Sequence, residues 1–199
     1  MTNSIDRFKH IENHKLKDTK VFGDRFYAIE HVVPNNPRYL EVGVGDGHYS
    51  EHIVKYKSPK IMHLLDRYDS PDYIYGKYTK DTHEDFIRDK FKDQNAITIK
   101  GDSKEILGSL IDNRYDYIYL DAGHDFDSVS SDLNLAAKML APNGVIGIND
   151  YTYFSPIDKE EYEVIEAVNL FLHDNPNWYV YAYQLGHRGY ADIYIKLSE

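Results

Sequence analysis

The sequence predicts an α/β protein on a mostly parallel sheet that ends in an antiparallel hairpin. Three observations carry this prediction. Short apolar runs alternate along the chain with segments of helical period. One such run, Y-L-E-V at 39–42, leads straight into glycines at alternate positions, Gly43, Gly45 and Gly47. Near the C-terminus, residues 178–185 and 190–197 are aromatic and alternating, and Gly186 to Gly189 joins them. Strict alternation of this kind marks paired strands.

The elements follow in order. Residues 24–33 carry a helical pattern that stops before Pro34, because the residue before a proline avoids the α region. Residues 38–42 form a buried strand, and Asp46–Lys57 a helix with Tyr49, Ile53, Val54 and Tyr56 at helical spacing. Lys60–Asp66 is a second strand. Residues 67–81 fit neither period and read as a Tyr-rich loop broken by Pro71 and Gly76. Thr82 is placed to cap the next helix, with Glu84 and Asp85 where carboxylates suit the helix dipole. Strands follow at Ala96–Lys100, Tyr115–Asp121 and Val145–Asp150, separated by helices near 104–111 and 126–140 and by the turn Pro142-Asn143-Gly144. Glu160–His173 reads as a last amphipathic helix. The 199 residues suit one domain. An N-terminal helical extension covers 1–37, its polar first 23 residues available as a lid or dimer arm, and a ligand-binding core covers 38–197.

Composition excludes several classes. With 33 acids, 23 bases and a formal charge of −10, the chain lacks the clustered Lys and Arg that nucleic-acid phosphates require. With no cysteine there are no disulfides, thiolate metal sites or cysteine nucleophiles. No apolar run resembles a signal peptide or a membrane span. A cytoplasmic protein acting on a small molecule, able to form a homo-oligomer, is expected. The 19 tyrosines suit strands and core, or a polar aromatic pocket for a hydroxylated substrate.

In open parallel sheets, ligands bind at the carboxyl ends of the strands. Acids stand at five predicted strand ends: Glu41, Asp66, Asp102, Asp121 and Asp150. Any one of them could simply cap the helix that follows. Asp66, however, lies roughly twenty residues past the glycine turn, where a carboxylate can accept from both ribose hydroxyls. Asp102 and Ser103 end the next strand, within range of an adenine amino group. The turn reads E-x-G-x-G-x-G, not the G-x-G-x-x-G that seats a pyrophosphate on a helix N-terminus. Led by Glu41 and rimmed by acids, it favours a cationic ligand over an anionic one.

These residues carry a family resemblance. The chain resembles class I S-adenosylmethionine-dependent methyltransferases: E-V-G-V-G-D-G is similar to their first motif, L-L-D to their second-strand acid and K-G-D-S to their third-strand turn. Y-D-Y-I-Y-L-D-A-G-H-D-F-D-S-V-S-S-D-L and L-A-P-N-G-V-I-G-I-N-D-Y look like a small-molecule and sugar O-methyltransferase subfamily with a D-x-G-H block. Ala122, Phe126, Asn143 and Asn149 depart from its pattern. The resemblance covers about residues 38–197. It implies a three-layer Rossmann-like fold with a seven-stranded sheet and S-adenosylmethionine as cofactor. Gly43, Gly45 and Gly47 would pack on its methionine part, with Asp66 on the ribose, Asp102 and Ser103 at adenine, and Glu41 and Asp121 completing the cofactor site.

The chain is also similar to catechol-type O-methyltransferases, in which a metal sits on an acid and an Asp-Asn pair. The resemblance implies Mg²⁺ on Asp121, Asn149 and Asp150, three hard oxygen donors. His124 stands where those enzymes carry a catalytic lysine, three residues beyond Asp121. With a pKa near neutrality it could take the acceptor proton; alternatively, it is a structural histidine bonded to a loop carbonyl. The expected activity is O-methylation of a small hydroxylated molecule or sugar, with Asp121 and His124 catalytic and loop 67–81 helping to form the acceptor pocket. The alternative is a catalytically inactive S-adenosylmethionine-binding regulatory module.

Overall fold

The computed structural model describes residues 7–72, 75–186 and 189–198. Residues 73 and 74 of the Tyr-rich loop and 187 and 188 of the hairpin turn lie outside the described residues, as do 1–6 of the N-terminal segment.

Ten strands and six α-helices are described. The strands are β1 (Lys20–Phe22), β2 (Arg38–Val42), β3 (Ile61–Asp66), β4 (Ala96–Lys100), β5 (Tyr115–Leu120), β6 (Leu140–Ile148), β7 (Phe154–Ser155), β8 (Glu160–Glu161), β9 (Trp178–Leu185) and β10 (Ala191–Leu197). The helices are α1 (Arg25–Val32), α2 (His48–Lys57), α3 (His83–Lys90), α4 (Ser103–Ile106), α5 (Phe126–Met139) and α6 (Val164–Asp174). The main sheet has the order β1-β9-β10-β6-β5-β2-β3-β4. Strands β4, β3, β2, β5 and β6 pair in parallel, and β10 runs antiparallel to both β6 and β9. The chain leaves β2 toward β3 on one side and returns to β5 on the other, so the order reverses at β2/β5, where such sheets bind ligands.

The sheet therefore has eight strands, not the expected seven. The additional edge strand comes from the N-terminal extension: Lys20–Phe22 pairs in parallel with Ala182–Gln184. Three residues, of which only Phe22 is buried, present no readable period. The expected helix at Glu160–His173 begins four residues late, at Val164, because Glu160 and Glu161 pair with Ser155 and Phe154 in the small β7–β8 hairpin. The expected turn at Pro142-Asn143-Gly144 lies inside β6 as a register break opposite Tyr115–Tyr117, with Asn143 at φ +63°.

Strand alternation divides the core. Leu40, Val42, Ile118, Leu120, Ile146 and Ile148 face α5 and α6. Tyr39, Met62, Leu64, Tyr117, Tyr119 and Tyr194 face α1 to α3. Tyrosine does serve as a core aromatic: Tyr49 stacks on Tyr119 at 3.6 Å, and its hydroxyl lies 2.6 Å from that of Tyr117.

Candidate functional site

The glycine turn closes against the end of β5. Gly43, Gly45 and Gly47 all have positive φ, at +85°, +52° and +73°. A Cβ on Gly43 would stand 1.9 Å from the Asp121 carbonyl oxygen, so only glycine lets the two strand ends meet. Glu41 is turned beneath the sheet rather than toward the cleft. It is 1% exposed and accepts from Tyr39 and Ser50 hydroxyls. Burial pushes its carboxyl up to about 8, against the pull of the Ser50 and Tyr39 bonds. The expectation that Glu41 faces a cationic ligand is corrected: a protonated, enclosed acid supports the turn from below.

Asp66 bonds the backbone of the glycine turn. One carboxylate oxygen accepts from Val44 N–H at 2.7 Å and Gly45 N–H at 3.3 Å, the other from Tyr68 N–H at 2.8 Å. From α3, which sequence reasoning left out of the site, His83 Nε2 donates to the Gly45 carbonyl at 2.7 Å and Lys90 to the Asp46 carbonyl at 2.6 Å. The His83 ring stacks on Tyr78 at 4.2 Å and meets the edge of Tyr68. The buried tyrosines of the Tyr-rich loop thus back the glycine turn instead of lining an acceptor pocket.

Asp102 caps α4 through Lys104 N–H, and the Ser103 hydroxyl donates to Asp132 at 2.9 Å. Asp132 is 3% exposed, and burial pushes its carboxyl up to about 6. Nothing in the local sequence marked it beyond its place on the inner face of α5.

Asp121, His124 and Asp150 converge at the ends of β5 and β6. One ligand atom from each falls within 4.8 Å of the others, and His124 Nε2 lies 3.5 Å from Asp150. Asp150 holds φ +50°, a left-handed conformation that turns it back over the strand ends. Burial, then the charge of Asp150, drives the Asp121 carboxyl well above the usual range. Burial and Asp192 lift Asp150 to about 6. Burial lowers His124 below the ordinary histidine value, which favours the neutral base. The His124 ring stacks on Tyr162 at 4.0 Å, and its backbone carbonyl accepts from Glu163 N–H. Among the described residues its buried Nε2 has no hydrogen-bond partner.

Asn149 behaves differently from its expected role. Its amide nitrogen donates to Asp121 at 2.7 Å. Its oxygen accepts from Arg25 at 2.8 Å and from the Tyr119 hydroxyl at 3.1 Å. Both lone pairs are engaged. A divalent cation thus fits the carboxylates of Asp121 and Asp150 but not Asn149, which belongs to the scaffold beneath them. Arg25 also pairs with fully buried Asp192 at 2.9 Å.

A glycine turn at the switch point of a mostly parallel sheet with an antiparallel C-terminal hairpin is the arrangement of a class I methyltransferase. The methyltransferase-domain family Methyltransf_24 matches residues 25–151, and the chain belongs to it. It is an S-adenosylmethionine-dependent methyltransferase. No curated protein matches the sequence. Among solved structures the chain is similar to an O-methyltransferase from Bacillus cereus in complex with SAH, with TM-score 0.62, 15% identity, and 87% of this chain and 78% of that one covered. It is likewise similar to TomG of Streptomyces achromogenes, an O-methyltransferase of tomaymycin synthesis in complex with SAM, at TM-score 0.62 and 14% identity over 87% and 78%. Fibrillarin of Aeropyrum pernix, with natively bound S-adenosyl-L-methionine, matches at TM-score 0.57 and 15% identity over 82% and 67%. At such identities the likeness establishes the fold alone.

Proposed function

We propose that the protein methylates a hydroxyl oxygen of a small polar molecule or sugar. The convergence of Asp121, His124 and Asp150 beside the glycine turn carries this reading. S-adenosylmethionine supplies an electrophilic methyl group on a sulfonium. His124 accepts the acceptor's hydroxyl proton at Nε2, and the oxygen takes the methyl group as the carbon–sulfur bond breaks with its electron pair left on sulfur. Asp150, 3.5 Å away, stabilises the imidazolium that forms. Tyr162, which directly follows the β7–β8 hairpin, fixes the ring by stacking. Asp66, with Asp102 and Ser103, serves the ribose and adenine ends; the glycines admit the methionine end. Asp121 and Asp150 would hold a divalent cation, whose chemistry is to lower the acceptor hydroxyl's pKa.

The test is transfer of a labelled methyl group from S-adenosylmethionine to a panel of sugars, phenols and amines, with and without chelator. Turnover that chelation abolishes and Mg²⁺ restores supports the full reading. Turnover that survives chelation removes the metal and leaves His124. Labelling only of amines overturns O-methylation.

A further inference from the structure

Two of the ten histidines stand one turn apart on α2, and the methyl-transfer site uses neither. Residues at i and i+4 share one helix face, so the rings of His48 and His52 meet, with centroids 4.7 Å apart and planes at 64°. His48 is exposed and His52 half-buried, which leaves the pair open to solvent. His52 Nδ1 lies 2.8 Å from the His48 carbonyl oxygen. A carbonyl can only accept, so Nδ1 carries the proton and Nε2 the lone pair. A backbone carbonyl on one ring nitrogen is how a metal-binding imidazole is held in the right tautomer. Phe26 of α1 orders both rings: it stacks on His52 at 3.7 Å and 14° and meets His48 edge-on at 6.0 Å. Glu51 is engaged by Lys90 at 3.1 Å, which leaves the two imidazoles as the donor set.

The ring spacing is that of a shared ion. With metal–nitrogen bonds of about 2.0–2.1 Å and an angle of about 90–110° between them, two imidazoles on one ion have centroids about 4.5–5.2 Å apart. Paired nitrogen donors suit Zn²⁺, Ni²⁺ and Cu²⁺; Mg²⁺ takes oxygen. We propose that His48 and His52 form a two-imidazole site for a late first-row divalent ion such as Zn²⁺, with water completing the coordination. The site shares no residue with the Asp121, His124 and Asp150 cluster and does not depend on the methyl-transfer reading. The held rings lower the entropy lost on binding. Helix α2 starts at His48, directly after Gly47, which gives it no side-chain cap. An ion shared by His48 and His52 ties the first turn of that helix and with it the end of the glycine turn.

Calorimetry of Zn²⁺ with tag-free protein tests the proposal, with excess Mg²⁺ present for the carboxylate cluster. His48→Gln and His52→Gln are each expected to weaken Zn²⁺ by about 10²-fold, because a second ligand on the same scaffold adds about 10²–10⁴ in avidity. Asp150→Asn, which alters the carboxylate cluster alone, is expected to stay within about twofold of wild type. A second readout needs no variant: the imidazole NMR signals of His48 and His52 should shift together as Zn²⁺ is added to the wild type. Wild type that binds no Zn²⁺ overturns the proposal, and so does Zn²⁺ affinity that survives in either histidine variant or is lost in Asp150→Asn. A titration in which only one of the two imidazoles responds, or neither, overturns it as well.

Discussion

His124 is suited to act as a base by burial, which holds its pKa below the ordinary value of 6.5 and keeps the ring neutral at pH 7. Protonation removes the lone pair, so kcat/KM should fall as pH drops through a value below 6.5; an acid limb at or above 7 would assign the base elsewhere. His124→Asn should lower kcat by about 10²–10⁴-fold, the usual reach of general-base catalysis, with calorimetric affinity for S-adenosylhomocysteine unchanged. Glu41 has the opposite problem. Its folded pKa is raised to about 8 from 4.5, so folding takes up a proton between those values. The group therefore subtracts stability as pH rises from about 4.5 to 8. Glu41→Gln keeps the shape and an acceptor for Tyr39 and Ser50. It should raise Tm by about 2–4 °C at pH 8, equivalent to about 1 kcal/mol at this chain length, and change little near pH 4.5. Equal melting temperatures of variant and wild type at pH 8 would mean the carboxylate folds ionised without cost.

The glycine turn works as an element because its glycines are not equivalent. A Cβ at Gly43 would collide with backbone of Asp121, whereas one at Gly45 meets nothing within 4 Å. Gly45→Ala should cost only left-handed strain, about 1–2 kcal/mol. Gly43→Ala adds a backbone clash that no rotamer relieves. It should lower Tm by at least twice as much as Gly45→Ala and abolish cofactor binding, since β2 and β5 must part. Comparable melting of the two variants would show that the strand ends are loosely apposed. The turn, the strand-end acids and the D-A-G-H block were legible because their signals are local: a glycine spacing, an apolar run, an acid. The residues that hold them were not. His83 grips Gly45 from 38 positions away, and Arg25 grips Asn149 from 124. Neither contact has a sequence period. Glu41 misled for a related reason: an acid at a strand end shows its charge in the sequence but not which side of the strand it faces.

The whole molecule is closed by its ends. The parallel sheet and C-terminal hairpin could be read from alternating periods, but not the strand count. The last strand is recruited from a polar N-terminal segment, which pairs with the edge that β9 offers. What fixes that segment is a buried lysine. Lys15 is 2% exposed, and its ammonium donates to the carbonyls of Asn175, Pro176 and Trp178 at 3.0, 3.2 and 2.8 Å. Those carbonyls form the turn into β9, so one side chain staples the N-terminus to the strand that β1 extends. A lysine in a polar segment reads as a solvated charge, and nothing in the sequence distinguishes Lys15 from exposed Lys17. The two should differ sharply on substitution. Lys15→Met leaves buried carbonyls without a donor, a loss of about 2–3 kcal/mol that lowers Tm by about 4–12 °C. Lys17→Met should stay within about 0.5 kcal/mol of wild type. Amide exchange of Lys20–Phe22 should also accelerate in Lys15→Met, since the edge strand loses its anchor before the central strands do. If the two variants melt together, the N-terminal segment is held by β1–β9 pairing alone.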